Sequence, residues 1–322
     1  MEIFKSDKIY NFMGRRLPFL GLSSLLVIAS IVLLLTKGVN LGIDFAGGTL
    51  VQVKYEQKAP IKEIRETLKT SPYSNASITE FGSPEEIIIR ITGSSSDIAN
   101  DIGDDMHRIL KVTGDFEVRR VDIVGPKVGG ELREKGLMAL ALSMIVILAY
   151  VSFRFEWRFA IASILALAHD IIIALGAISL FNVEVNLDIL AAILTILGYS
   201  LNDTIIVFDR IREGVQISKE SILEKVVNES VSKTLSRTTL TSLTTFFVVA
   251  TLFFFGGEII HGFAFTMLVG VIIGTYSSIF IAASFLVQLK FSISDFRAKE
   301  AEKGKRQKEK DKLRAMYEQG TV

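Results

Sequence analysis

Aspartates at positions 170, 203 and 209 stand within or at the end of apolar runs, and their chemistry depends on that setting. An ionised Asp at mid-membrane costs at least ~2.5 kcal/mol by insertion scales, so such a group usually faces a bundle interior, a partner charge or water. Asp203 belongs to "GYSLNDTIIVFDR" (198–210), where Asn202, Asp203 and Thr204 form a polar patch one turn after Gly198, Tyr199 and Ser200. A packed apolar helix has no use for such a patch. Counting at 1.5 Å per residue puts Asp203 about 24 Å below Leu187 and Arg237 about 28 Å below Gly256. The two therefore come to nearly equal depth on consecutive antiparallel helices, and a pair that protonation of the Asp releases outlines an ion-coupled switch. The bland alternatives are a static ion pair or an Arg237 that snorkels to the headgroups. Asp209, which starts "DRIR", reads as an interfacial residue at a helix end. Asp170 follows His169, and adjacent helical residues point about 100° apart, which argues against a converging ligand pair. No His constellation for a metal is legible, and with no cysteine there is no thiolate chemistry. The threonines at 238, 239, 241, 244 and 245 extend a polar seam or satisfy their own backbone.

The elements that carry these groups are membrane spans. In a 322-residue chain, 49% hydrophobic, the apolar residues gather in six runs, at 17–36, 137–153, 159–181, 187–208, 240–256 and 262–289. Each is near the ~20 residues that cross a bilayer core. The first run is longer than a signal-peptide core and is read as an uncleaved span. Basic residues crowd 1–16, 154–158, 209–240 and the tail from Lys290, and are absent from 182–186 and 256–262. Both termini are therefore expected in the cytoplasm. A net charge of +1 gives no ground for nucleic-acid binding.

Between the first two spans, residues 37–136 read as an outer α+β domain. "TLVQVKYE" (49–56) alternates, Pro60 opens a helix with Ile61, Ile64 and Leu68 on one face, and "ASITEFG" and "EEIIIRIT" are strands joined through Gly82, Ser83 and Pro84. A helix after Ser94–Ser96 aligns Ile98, Ile102, Met106 and Ile109, and "FEVRRVDIVG" (116–125) closes a ferredoxin-like βαββαβ order. "GIDFAGG" (42–48) precedes a strand and lacks the P-loop Lys, so Gly42, Asp44, Gly47 and Gly48 are assigned to tight turns, as are Gly129 and Gly130. Ser218 is expected to cap an inner helix with Ile222, Leu223, Val226, Val227, Ser230 and Val231 in one stripe, within an inner loop 209–240. Gly270 and Gly274 offer a close helix contact. The charged tail, 290–322, reads as a solvated helix or arm whose basic excess suits anionic headgroups.

"GIDFAGG", "FRFEWRFA" (153–160), "AHD" (168–170), "GYSLNDTIIVFDRIRE" (198–213), "LSRT" (235–238) and "GFAFTMLVGVIIGTYSSI" together resemble the SecF family of protein-export membrane subunits, within the resistance-nodulation-division superfamily. The resemblance implies six spans in the bacterial inner membrane that pair with the six of SecD. It implies work beside the SecYEG translocon and YajC on a translocating polypeptide, after the SecA-driven stage, driven by the proton gradient with no cofactor; the residues themselves leave H⁺ or Na⁺ open as the coupling ion. It also implies that Asp203 and Arg237 take part in ion coupling; Asn202, Thr204, Asp170 and Asp209 are accessory candidates from the residues alone. The six SecD spans and SecD's large outer domain, present in fused forms, are absent, so a separate SecD is expected. Three rival readings are a small-molecule or lipid exporter on the same scaffold, an intramembrane aspartyl protease using Asp170 and Asp203, and a scaffold subunit whose charges only fix assembly with a partner. The protease lacks its Gly-x-Gly-Asp motif.

Overall fold

A computed structural model describes residues 8–92 and 102–318. Ser94–Ser96 and Ile98, the expected start of the second helix of the small domain, lie outside them. Among the described residues, six helices are long and apolar enough to cross a membrane. They comprise α1 (Arg16–Thr36), α5 (Pro126–Arg154), α6 (Trp157–Leu180), α7 (Leu187–Ile217), α8 (Leu223–Phe255) and a composite last helix. This last span joins α9 (Glu258–Ser277), one π-helical turn (Ser278–Ala282) and α10 (Ala283–Gln288). Within the most apolar stretch of each, 61% of α6, 44% of α7 and 56% of the last span is buried, against 11% for α1, α5 and α8, so the first three form the interior.

Between α1 and α5 the chain forms β1 (Asn40–Leu41), a helical turn α2 (Ile43–Ala46), β2 (Gly48–Tyr55), α3 (Ile61–Lys69), β3 (Ser77–Phe81), β4 (Ser83–Thr92), α4 (Ile102–Leu110) and β5 (Phe116–Val124). The antiparallel order β3-β4-β2-β5 is the ferredoxin-like arrangement. Period-two alternation in β2 buries Val51, Val53 and Tyr55 against Ile64 and Leu68 of α3 and Ile102 and Met106 of α4. Gly82 alone turns β3 into β4; Ser83 and Pro84 already belong to the strand. The opposite face of the sheet lies over the end of the bundle. There β1 pairs in parallel with β6 (Glu184–Val185), in the turn between α6 and α7.

Several expectations are corrected. Gly129 and Gly130 make no turn but lie inside α5, which starts at Pro126 behind an extended Gly125. Gly129 instead permits close approach: a Cβ there would stand 2.8 Å from the backbone N of Gly47. The inner loop 209–240 shrinks to residues 218–222, because α7 and α8 run well past their apolar windows. Ser218 does not cap α8. Its hydroxyl accepts from the Glu220 N–H at 3.1 Å, and α8 begins after Ile222. The expected stripe does pack, with Val226, Val227 and Val231 buried against Phe208, Ile211 and Val215 of α7. The tail forms α11 (Ile293–Glu318), and its Arg297 donates to the carbonyl of Val215, in the last turn of α7, and to those of Ser218 and Glu220 in the loop that follows.

Candidate functional site

Helical spacing places Ser200, Asp203, Thr204 and Val207 on one buried stripe of α7. Its partners are α8 and α9, and the glycines expected to bring helices together do so: a Cβ on Gly270 would run into Ile196, and one on Gly274 would stand 3.1 Å from Ser200 Cβ. The close approach leaves a cavity of about 50 Å³ among α7, α8 and α9, bordered by Ser200, Asn202, Asp203, Thr241, Ser242 and Thr275. One water needs ~15 Å³, so the space admits water or a small cation. Asp203 is 7% exposed, and its Oδ2 accepts from the Ser242 hydroxyl at 3.0 Å. The buried hydroxyls of Thr204 and Thr238 have no hydrogen-bond partner among the described residues.

Arg237 is the main correction at this site. It is exposed, makes no ion pair among the described residues, and sits five residues from Ser242, the side chain that does reach Asp203. Five residues of helix are about 7.5 Å. Counting depth from the two helix ends misjudged the register, because the residue of α8 that meets Asp203 is Ser242, fourteen residues before Gly256, and not Arg237, nineteen before it. Asn202 is exposed at the mouth of the cavity, whereas Thr204 is buried. Thr241, Thr244 and Thr245 donate to backbone carbonyls of their own helix, the alternative reading of the threonines.

Asp209 is not at a helix end; it stands mid-α7, exposed, 3.5 Å from Arg154. Asp170 is fully buried in α6 and takes three donors: Ser200 Oγ at 2.5 Å and Ser277 Oγ at 2.7 Å on Oδ2, and His169 Nδ1 at 2.8 Å from Oδ1. This last contact joins the two as hydrogen-bond partners, which is a different arrangement from the metal-ligand pair weighed above. The 100° rule governs Cβ directions, and Nδ1 lies close enough to the backbone to fold back onto its neighbour. Asp170 and Asp203 share no hydrogen bond, so they do not form the proton-sharing dyad an aspartyl protease requires.

Sequence reading missed Ser242 and Ser277 as partners. Ser242 was within reach, since with Thr238, Thr241 and Thr245 it repeats at three- and four-residue intervals on one face of α8. It also missed Arg90 of β4, whose guanidinium pairs with Glu184 and ties the sheet to the bundle. Burial pushes the Glu184 carboxyl above the ordinary glutamate range; Arg90 opposes this and the nearby Asp44 charge adds to it.

The glycine-rich segment joins the same assembly. Asp44 Oδ2 accepts from the Leu187 N–H at 3.0 Å, at the start of α7. Gly42 donates to Val185 O at 2.8 Å, and a Cβ on Gly42 would meet Glu184. Gly47 has φ +73°, and a Cβ there would stand 2.7 Å from Pro126 Cα. Gly48, also at positive φ, opens β2. The segment therefore fastens the entry of the small domain to α5 and to the start of α7.

Residues 105–292 match the family model described as "Protein export membrane protein SecD/SecF, C-terminal", and residues 32–59 match "SecD/SecF GG Motif". The protein translocase subunit SecF of Helicobacter pylori (strain J99) is 48% identical over 323 residues, covering all of both chains. That of Escherichia coli O157:H7 is 40% identical over 285 residues, 88% of each. The crystal structure of SecDF from Thermus thermophilus, titled a translocon-associated membrane protein, superposes with a TM-score of 0.81 at 36% identity, over 89% of this chain. The present chain spans only 40% of that SecDF chain. With matches of this extent to both the family model and full-length relatives, the chain is a multi-pass membrane protein that belongs to the SecF family of protein translocase subunits.

Proposed function

We propose that this chain is one half of an ion-driven motor that, joined to a SecD subunit, completes export of polypeptides delivered by the SecYEG translocon with YajC. Its small domain stands on the outer face and both termini lie in the cytoplasm, as the distribution of Lys and Arg favours. The observation that carries the reading is Asp203: a buried carboxyl held by one hydroxyl, with no ion-pair partner among the described residues, on a polar cavity between three spans. Uptake of H⁺ or Na⁺ there removes a charge that hydrocarbon tolerates poorly, and release restores it. Either step changes what α7 prefers to face. Movement of α7 reaches the small domain directly, because Asp44 holds its first turn and Glu184, just ahead of it, holds Arg90.

Arg237 and Asn202 are exposed on α8 and α7, a setting that suits cover by the SecD half. Arg237 then acts on Asp203 in a state of the assembled complex other than the one described. The test is gradient-dependent completion of translocation in vesicles holding this chain with its SecD partner. Asp203→Asn should assemble normally and lose the gradient-dependent step. Poor assembly of that variant would instead mark Asp203 as a structural contact, and full activity would remove it from the mechanism.

A further inference from the structure

The Asp203 cavity does not end the polar path. Ser200, 2% exposed and one turn before Asp203, borders the cavity and donates its hydroxyl proton to Asp170 Oδ2 at 2.5 Å. Asp170 is fully buried and has no Lys or Arg partner among the described residues. A bare carboxylate in such a place is expensive, yet the site is built around it with three donors. His169 completes it: Nδ1 faces Asp170, while Nε2, in a side chain 7% exposed, is buried without a partner among the described residues. The third donor, Ser277, is the last residue before the π-helical turn, a departure from α-helix frequently found at functional sites. The remaining titratable neighbour is Tyr276, whose ring lies 6.4 Å from the imidazole and whose hydroxyl donates to Phe19 O. Residues 17–36 of α1 and 278–288 carry no titratable group, and between Leu137 and Phe153 α5 has only the exposed Tyr150.

We propose that Asp170, backed by His169, is a second proton-accepting group, reached from the Asp203 cavity through the Ser200 hydroxyl. The proposal rests on the reading of Asp203 as the coupling group. Protonated Asp203 gives its proton to water in the cavity. Ser200 Oγ takes one from that water as it releases its own to Asp170 Oδ2. One proton has moved, the serine hydroxyl is regenerated, Asp203 is left ionised and Asp170 neutral. Neutral Asp170 is a poorer acceptor, so the Ser277 contact that anchors the wide turn of the last span weakens.

The test is a pH titration by infrared difference spectroscopy on the full chain with its SecD partner in lipid vesicles, following the carboxylic C=O stretch, alongside gradient-driven translocation. Asp170→Asn should delete a band that Asp203→Asn leaves in place. Because Asp170→Asn alters a buried group, Ser200→Ala serves as the second variant: both bands persist, but deuterium exchange at the Asp170 band slows by about 10²-fold, the low end of what a positioned proton donor contributes. Identical spectra in wild type and Asp170→Asn, or unchanged exchange in Ser200→Ala, overturn the inference while leaving the role of Asp203 intact. Unchanged translocation in Asp203→Asn overturns the reading beneath it, whatever the bands show.

Discussion

Replacing Gly47 with alanine tests whether the glycine-rich segment is a rigid fastening between the small domain and the bundle. Gly47 sits at φ +73°, ψ 152°, a region essentially reserved for glycine. Holding an alanine there costs about 1–3 kcal/mol. The new Cβ would also stand 2.7 Å from Pro126 Cα and 3.0 Å from Pro126 N, backbone atoms that no rotamer change can move aside. Overpacking of this kind adds about 1–3 kcal/mol, so the total is roughly 2–6 kcal/mol. At 1.4 kcal/mol per factor of ten, the lower figure alone is about a 30-fold loss of protection. The assay is amide hydrogen exchange in vesicles, read over residues 43–50 and at the start of α5. Gly130→Ala is the internal control, since nothing lies within 4 Å of a Cβ at that helical position. It should be neutral or stabilising by up to ~1 kcal/mol. Equal protection in the two variants would refute the close-packing argument.

Two other substitutions test separate contacts. Glu184 titrates above the ordinary glutamate range because it is buried at the junction. A carboxyl raised by docking binds its proton more tightly when docked, so its contribution is complete at pH below the ordinary glutamate range and is lost as pH rises through the raised value. Protection of the Gly42 N–H, which bonds Val185 O, should therefore fall with rising pH over that window and stay level in Glu184→Gln; protection that rises with pH in the wild type contradicts this. Arg297→Ala removes the donor to three carbonyls in the last turn of α7 and the loop after it, and should cost about 1–3 kcal/mol. The loss should appear as faster exchange confined to residues 214–220 and the start of α11. Faster exchange throughout the bundle would show that Arg297 does more than cap.

The spans and the small domain were legible because each rests on a one-dimensional signal: an apolar run of membrane length, or a period-two strand beside a helix with one apolar face. Helix ends inside the water-facing parts were not. "DRIREGVQI" ends an apolar window, yet Val207, Ile211 and Val215 continue the buried stripe at helical spacing, and α7 follows that stripe to Ile217. At the site, Asp203 was legible from residue type, because a carboxyl among apolar neighbours needs a reason. Its partner was not, since tilt decides which residue of α8 meets it, and sequence carries no tilt. Asp170 was noticed but undervalued: Ser200 and Ser277 come to it from 30 and 107 residues away. Gly129 was recognised as a special position and misassigned, because close approach and a turn both ask for the smallest residue.

The most direct test of the central claim measures ion movement and polypeptide movement together. Vesicles containing this chain and its SecD partner, with an imposed proton or sodium gradient and an internal ion-sensitive dye, are supplied with a partly translocated polypeptide. The account predicts that wild type dissipates the matching gradient only while polypeptide is moving, and that Asp203→Asn, normally assembled, passes neither ion nor polypeptide. Equal coupled flux in the variant would contradict it, and would place the coupling group elsewhere in the complex.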